Sequence, residues 1–447
     1  MKFSALSSVV LSLGLYGSTT TADSVPRNIR IDGQQFYVTA TSEPIVMSGP
    51  NVVVKGPPYM PSVSGDEMCN DVVNDDCTST GTCQTCFTFN EYDIANIKAN
   101  GWNTIRLGVV WAGAQPNDED ALDADFVAKL QAVLTLCDEN DINVILDNHG
   151  DMVGSAGCGN GVPMWFQQKA ASDLIGKPLE TGLPYSVIPG LNINEVGGYD
   201  HCGPDNETMW AQYAGDPNYN LLNECCLAMN SPNPGGLGYT TISQATMDYV
   251  VKEGQGRDDF VRFWSLIAQA VIDYPSAFAA ELMNEPMTIR RPEMYETWQA
   301  CAIAINQIIP DMSVSLCDVG EGAILPYWLT DHFGAGIAIK QDTIDFIKNS
   351  TTLFYAWHWY GQPTDPNVAV ENVQAIMQDW NIPSFATEFG SCEAWIAASN
   401  ANISHTYWHY SSYCNTGPSF GNLVVPDETF GGCMLGWAGG SSTYECN

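Results

Sequence analysis

The chain has 447 residues, long enough to bury one large core without a second domain. Its 16 Lys and Arg face 51 Asp and Glu, giving a formal charge of −35, and such a surface repels phosphate backbones and anionic lipid headgroups. Nucleic acid is thereby excluded as a partner, and neutral or weakly charged substrates fit better.

In chain order, residues 1–22 have the outline of a secretory signal peptide: Lys2, an apolar run from Phe3 to Tyr16, then small residues to Ala22. That run is too short for an ordinary membrane span, and no later stretch is long enough. Residues 23–447 are therefore expected to be a secreted, soluble, monomeric protein of one domain. Fifteen cysteines fit an oxidising compartment. Cys69, Cys77, Cys83 and Cys86 fall in a polar loop over 60–90, where disulfides are favoured over zinc because no histidine is near. Cys392, Cys414, Cys433 and Cys446 follow late in the chain, and 411–447 is expected to be a disulfide-rich extension. An odd count leaves a thiol over. Cys137 is the candidate, since it shares a helical face with Phe126, Leu130, Val133 and Leu134. Asn206, Asn349 and Asn402 begin glycosylation sequons.

After short N-terminal strands, an apolar strand is expected over Asn51 to Val54, and helix, turn and a strand carrying Arg106 follow the cysteine loop. Residues 121 to 140 have helical periodicity, and INVILDNHGD is a strand running out to His149 and Asp151. From about 150 to 256 the periodicity fails and Cys158, Cys202, Cys225 and Cys226 occur; this segment is expected to be a disulfide-stapled insertion with short helices. A helix bearing Phe260, Trp264, Ile267, Val271 and Tyr274 then leads into AFAAELMNEP, taken as an apolar strand from Ala277 to Met283 that ends on Asn284, Glu285 and Pro286. Helices over about 293–309 and 366–380 alternate with the strands SVSLCD, LFYAWHWY and IPSFATEFG, and the last strand is ISHTYWHY. Eight strands separated by helices imply a (β/α)8 TIM barrel with a long insertion after the third strand.

Ligands in such barrels bind at the carboxyl ends of the strands. That rim would gather Arg106, His149, Asp151, Asn284, Glu285, His358, Tyr360, Glu388 and Trp408. Two glutamates on two strand ends suit cleavage of an acetal, in which one carboxyl protonates the leaving oxygen and the other attacks or activates water. Arg106 beside Glu388 would hold it ionised, with Tyr360 donating a hydrogen bond, as a nucleophile requires. Glu285, flanked by Met283 and Pro286 with no evident cation, would keep its proton. Asn284 could bond a sugar hydroxyl, and Trp408 offers a face to a pyranose. Asp147, inside its strand, fits a buried partner better than a catalyst, and His405 and His409 fit packing or surface. No cofactor or metal is expected, since HExxH and tight His/Asp clusters are absent.

These residues resemble glycoside hydrolase family five, retaining (β/α)8 glycosidases with acid/base and nucleophile glutamates after the fourth and seventh strands. The resemblance implies those roles for Glu285 and Glu388, and supporting roles for Arg106, His149, Asn284, His358, Tyr360 and Trp408. GPNVVVKGPPYMP and DNHGDMVGSAGCGNGVPMW look like the endoglycoceramidase-related branch, whose third-strand motif sets His and Asp against the sugar; Gly150 stands where that branch commonly has glutamine. The implied activity is hydrolysis of a β-glucoside or β-galactoside of glycolipid type. An endo-β-glucanase of cellulase type is the alternative, and a non-catalytic carbohydrate-binding barrel is the reading from another class.

Overall fold

The computed structural model describes residues 24–54, 59–63, 89–151, 153–157, 159–175, 179–183, 185–187, 238–288, 290–317, 348–349, 352–360 and 365–408. The signal segment, most of the cysteine loop, the middle of the insertion and the extension 411–447 lie outside them, as do the disulfides expected there.

A small antiparallel sheet comes first: β1 (Ile29–Asp32), β2 (Gln35–Val38) and β3 (Pro44–Ile45). Eight parallel strands then close a barrel in chain order. They are β4 (Ser48–Val52), β5 (Thr104–Gly108), β6 (Asn143–Asp147), β7 (Ala277–Glu281), β8 (Ser313–Cys317), β9 (Leu353–Trp359), β10 (Ser384–Phe389) and β11 (Ser404–Tyr407), and β11 pairs back onto β4. Strands β5 to β11 are buried throughout, so their sequences read as nearly continuous runs rather than alternating ones.

The helices bury the faces that periodicity marks. Asp123 caps the helix Ala124–Asp138 by accepting from the Phe126 amide, and Phe126, Leu130, Val133, Leu134 and Cys137 line its inner face. In Pro366–Trp380 the buried residues include Ala369, Val373, Ile376 and Trp380, and Asn381 ends the helix in the left-handed region at φ +50°. Cys137, Cys301 and Cys317 are buried thiols outside any disulfide, so Cys137 has company among the described residues.

Two expectations need correction. The first barrel strand runs over Ser48–Val52 rather than 51–54, and its second residue is glycine for steric reasons: a Cβ on Gly49 would lie 1.7 Å from the Thr104 carbonyl oxygen. The fourth strand is not an apolar run to Met283; it ends at Glu281, a fully buried carboxylate. Within the insertion, Thr241–Val251 is a short helix of the kind expected there, capped by Thr240. Its buried face includes Ser243 and Thr246 beside Ile242, Met247, Val250 and Val251, which blurs the apolar period.

The small sheet closes the amino-terminal end of the barrel. Phe36 meets Phe278, Phe354 and Phe385 at centroid distances of 6.4, 5.8 and 6.1 Å, and each partner is the second residue of its strand. Phe36→Ala is therefore expected to cost about 3–5 kcal/mol in denaturant unfolding. Activity per folded molecule should be unaltered, because the opposite end of the barrel carries the site.

Candidate active site

Strand β5 carries Arg106 into the barrel interior, fully buried. A bare guanidinium there would be prohibitively costly, so its donors must all be used. They are. Nε and Nη2 donate to the two oxygens of Glu281 at 3.1 and 2.7 Å, Nη1 donates to Asn51 Oδ1 at 2.8 Å and Glu388 Oε1 at 2.6 Å, and Nη2 also reaches Asn284 Oδ1 at 2.9 Å and Asp147 Oδ1 at 3.0 Å. Burial alone would lower the guanidinium pKa, but Asp147, Glu281 and Glu388 together raise it well above the ordinary value. Burial pushes Glu281 upward against the pull of Arg106.

Glu388, 4% exposed on β10, is thereby oriented, and its other oxygen accepts from the Tyr360 hydroxyl at 2.9 Å. Glu285 lies four residues beyond the end of β7 with φ +37°, a sparsely populated conformation for a side-chain-bearing residue. Its Oε1 is 2.7 Å from His358 Nδ1, and that nitrogen is 3.6 Å from Glu388 Oε2. A carboxylate oxygen from each glutamate and a ring nitrogen of His358 all lie within 4.8 Å of one another. The expectation that Glu285 has no cationic partner is thus corrected: His358 is 73 residues away in sequence, and barrel closure brings them together. Burial would lower the His358 pKa, but Glu388 and Glu285 raise it overall.

His149 hydrogen-bonds Asp147 Oδ2 through Nδ1 at 2.8 Å, and its Nε2 is 3.6 Å from Asp151 Oδ1. Trp408 lies flat on the imidazole, centroids 4.9 Å apart and planes 15° from parallel, so one face of that indole is already taken. Asn284 is fixed by Arg106 and donates to the Gly150 carbonyl at 3.3 Å. Gly150 is tightly placed: a Cβ there would stand 3.0 Å from Gly161 Cα and 3.1 Å from the Asn160 carbonyl oxygen, so the backbone opposite would have to give by a few tenths of an ångström. His405 packs away from this group against Trp395, with Nδ1 on the Ile403 carbonyl, and burial lowers its pKa to about 4. His409 lies outside the described residues.

Sequence reasoning missed Glu281 and Asn51, both essential partners of Arg106. Glu281 was visible as an acid inside an apolar strand four residues before Glu285. Beside Glu285 a small crevice, with room for about one water, is lined by Met247, Met283, Met287, Val153 and Val162 together with Asn148 and Asn284. Two triplets of side chains have metal-donor spacing, Glu285/His358/Glu388 and the wholly buried Glu281/Cys317/His358.

Comparison with known proteins shows the family of the chain. The model of the family described as Cellulase (glycosyl hydrolase family 5) matches residues 70–177 and 240–414. The chain belongs to glycosyl hydrolase family 5. Residues 178–239, between the matched parts, fall within the expected insertion. Its relatives in the family include the endoglycoceramidase of Cyanea nozakii, 26% identical over 321 residues that make up 70% of this chain and 53% of that one. Endoglycoceramidase I of Rhodococcus hoagii (strain 103S) is 22% identical over 422 residues, 88% of this chain and 70% of that one. The chain thus spans about half the length of the Cyanea relative. Among solved structures, an endogalactoceramidase crystal structure superposes with a TM-score of 0.53 at 14% identity, covering 86% of this chain and 74% of the other, a likeness of fold.

Two outcomes test this electrostatic frame. Burial would depress His149, but Asp147 and Asp151 outweigh it and hold its pKa at about 9. An ordinary histidine titrates near ~6.5. A folded-state value above that means stabilisation is complete below ~6.5 and is lost as pH rises through about 9. The contribution is on the order of 3 kcal/mol. Thermal unfolding of the wild type should lose ground across that window, and His149→Gln should flatten the loss; parallel profiles would deny His149 the role. Separately, Glu281→Gln should destabilise the fold by about 3–5 kcal/mol in denaturant, since Arg106 loses its bidentate partner.

Proposed function

We propose that this chain is a secreted retaining β-glycosidase that cleaves a β-glucoside or β-galactoside from an apolar, glycolipid-type aglycone. The carrying observation is the pair of glutamates: oxygens within 4.8 Å, Glu388 gripped by Arg106 and Tyr360, and Glu285 bonded to His358. Retaining enzymes hold their carboxyl groups about 5–5.5 Å apart, whereas inverting ones leave roughly 6.5–9.5 Å for a water. Facing oxygens within 4.8 Å fit the retaining arrangement, in which Glu388 attacks directly.

In this reading Glu388, kept ionised by Arg106, attacks the anomeric carbon as the bond to the aglycone oxygen breaks. Glu285 gives that oxygen its proton. The carboxylate left on Glu285 accepts a hydrogen bond from His358 Nδ1–H, which keeps its own proton and stabilises the new charge. Water next attacks the anomeric carbon, Glu285 takes its proton, and the bond to Glu388 breaks. Asn284, oriented by Arg106, presents its amide toward the reacting sugar. His149 and Asp151 supply polar contacts on the other side of the rim, and Trp408 is the aromatic platform.

One observation supports an apolar aglycone over a glucan chain: the curated relatives named above are endoglycoceramidases. The segment 1–22 supports export.

The decisive experiment is intact-protein mass spectrometry after incubation with a 2-deoxy-2-fluoro-β-glucoside. One adduct mapping to Glu388, absent from Glu388→Gln, is expected. Absence of an adduct from both this probe and its galactosyl counterpart would refute the retaining mechanism, and a preference for cello-oligosaccharides over glycosylceramide would refute the aglycone.

A further inference from the structure

Glu285 stands in the loop between β7 and the helix Arg291–Asn306, and its φ of +37° persists only where the surroundings over-determine it. On the upstream side the barrel does so. The Asn284 amide donates to the Asn148 carbonyl at 3.1 Å, and Arg106 holds the Asn284 side chain at 2.9 Å. On the downstream side the fixing comes from the insertion. Gln244, on the helix Thr241–Val251, donates through Nε2 to the Met287 carbonyl at 2.7 Å and to the Gly238 carbonyl at 2.9 Å. Met287 is two residues beyond Glu285.

The same helix face meets that loop at two further points. Met247 and Asp248 follow Gln244 by three and four residues, so all three share a face. Met247 lines the crevice beside Glu285 together with Met283 and Met287. Asp248 Oδ1 accepts from Arg290 Nε at 2.6 Å, but the Arg290 side chain is 41% exposed, and such a pair contributes little by itself. Gln244 is the firmer clasp. Both hydrogens of its amide nitrogen are used, and both partners are carbonyls that only accept, which fixes the way the amide points. Gly238 lies close against the same loop, since a Cβ there would stand 1.9 Å from Met287 Sδ.

We propose that Gln244 is a positioning residue for Glu285. By holding the Met287 carbonyl, with Asp248 as a second point of attachment, it keeps the loop bent so that Glu285 Oε1 stays 2.7 Å from His358 Nδ1. Without that hold the backbone relaxes toward ordinary negative φ and turns the carboxyl away from the leaving group. A displacement of about 1 Å at a catalytic group costs on the order of 100-fold in rate. Glu388 is spared, because Arg106 and Tyr360 hold it independently of this loop's downstream side. The deficit is therefore one of proton donation and not of nucleophilic attack. The clasp stands on the geometry; its effect on catalysis rests on the hydrolase reading above, in which Glu285 is the acid.

The test compares two aryl β-glycosides on the full-length protein: a 2,4-dinitrophenyl glycoside, whose leaving group departs without a proton, and the unsubstituted phenyl glycoside, whose leaving group needs one. Gln244→Met keeps the volume and removes the donor. Its kcat/KM should fall on the order of 10- to 100-fold for the phenyl substrate and stay within about threefold of the wild type for the dinitrophenyl one. Equal losses on both substrates would mark a merely structural residue, and no loss on either an idle one; each overturns the proposal. Should Gln244→Met not fold, Asp248→Asn decides by the same comparison: a phenyl-selective loss supports the clasp, and an equal or absent loss overturns it. A wild type that hydrolyses neither glucosides nor galactosides strikes the hydrolase reading instead. Hydrogen exchange of residues 282–290 then judges the clasp, which faster exchange in the variant supports and unchanged exchange overturns.

Discussion

A single buried guanidinium organises this molecule's chemistry. Arg106 has no access to water, and the desolvation of such an ion is repaid only by close, well-oriented partners. Those five partners come from four different strands or their ends: Asn51, Asp147, Glu281 with Asn284, and Glu388. The barrel must close in the right register for all of them to meet. Catalytic geometry and fold integrity are therefore one constraint, and a site built this way does not drift with surface loops.

The two glutamates differ because of what touches them. Glu388 is nearly buried and receives a guanidinium and a phenol. Both contacts favour its ionised form, one on each oxygen. Glu285 is more exposed, stands on a backbone bent to positive φ, and has an imidazole that can hold or release a proton. One carboxylate is locked and the other is exchangeable. The proposed nucleophile and acid/base need that division, and the fold supplies it without any difference in residue type.

Much of this was legible in the sequence, for a physical reason. Parallel strands buried on both faces leave apolar runs, so Arg106, His358 and Glu388 stand out against them, and strand order brings them to one rim. Pairing across the barrel was not legible. The Glu285–His358 contact joins residues 73 apart, and nothing local to either predicts it. Glu281 was absorbed into an apolar strand because a buried acid looks like an interruption until its cation is known. The position of the helix Thr241–Val251 was hidden by Ser243 and Thr246, whose hydroxyls find partners inside and so break the hydrophobic period. In the first strand, β-branched residues drew attention from Gly49, which is required by the closeness of the Thr104 backbone.

The barrel interior is layered, and the layers have opposite requirements. At the amino-terminal end Phe36 and its three aromatic partners form a dry plug whose stability comes from packing and area. At the other end, Arg106 and its carboxylates form an ionic layer that stabilises little once desolvation is counted. The apolar layer must offset the cost of the ionic one. Cys317 sits at the junction, in contact with the aromatic cluster and within reach of Glu281 and His358. A small, polarisable side chain is suited to such a boundary, since it tolerates apolar neighbours below and charge above. Any larger residue would press on His358 or Glu281, and through them on the contacts that hold Glu285 and Glu388 apart in their separate roles.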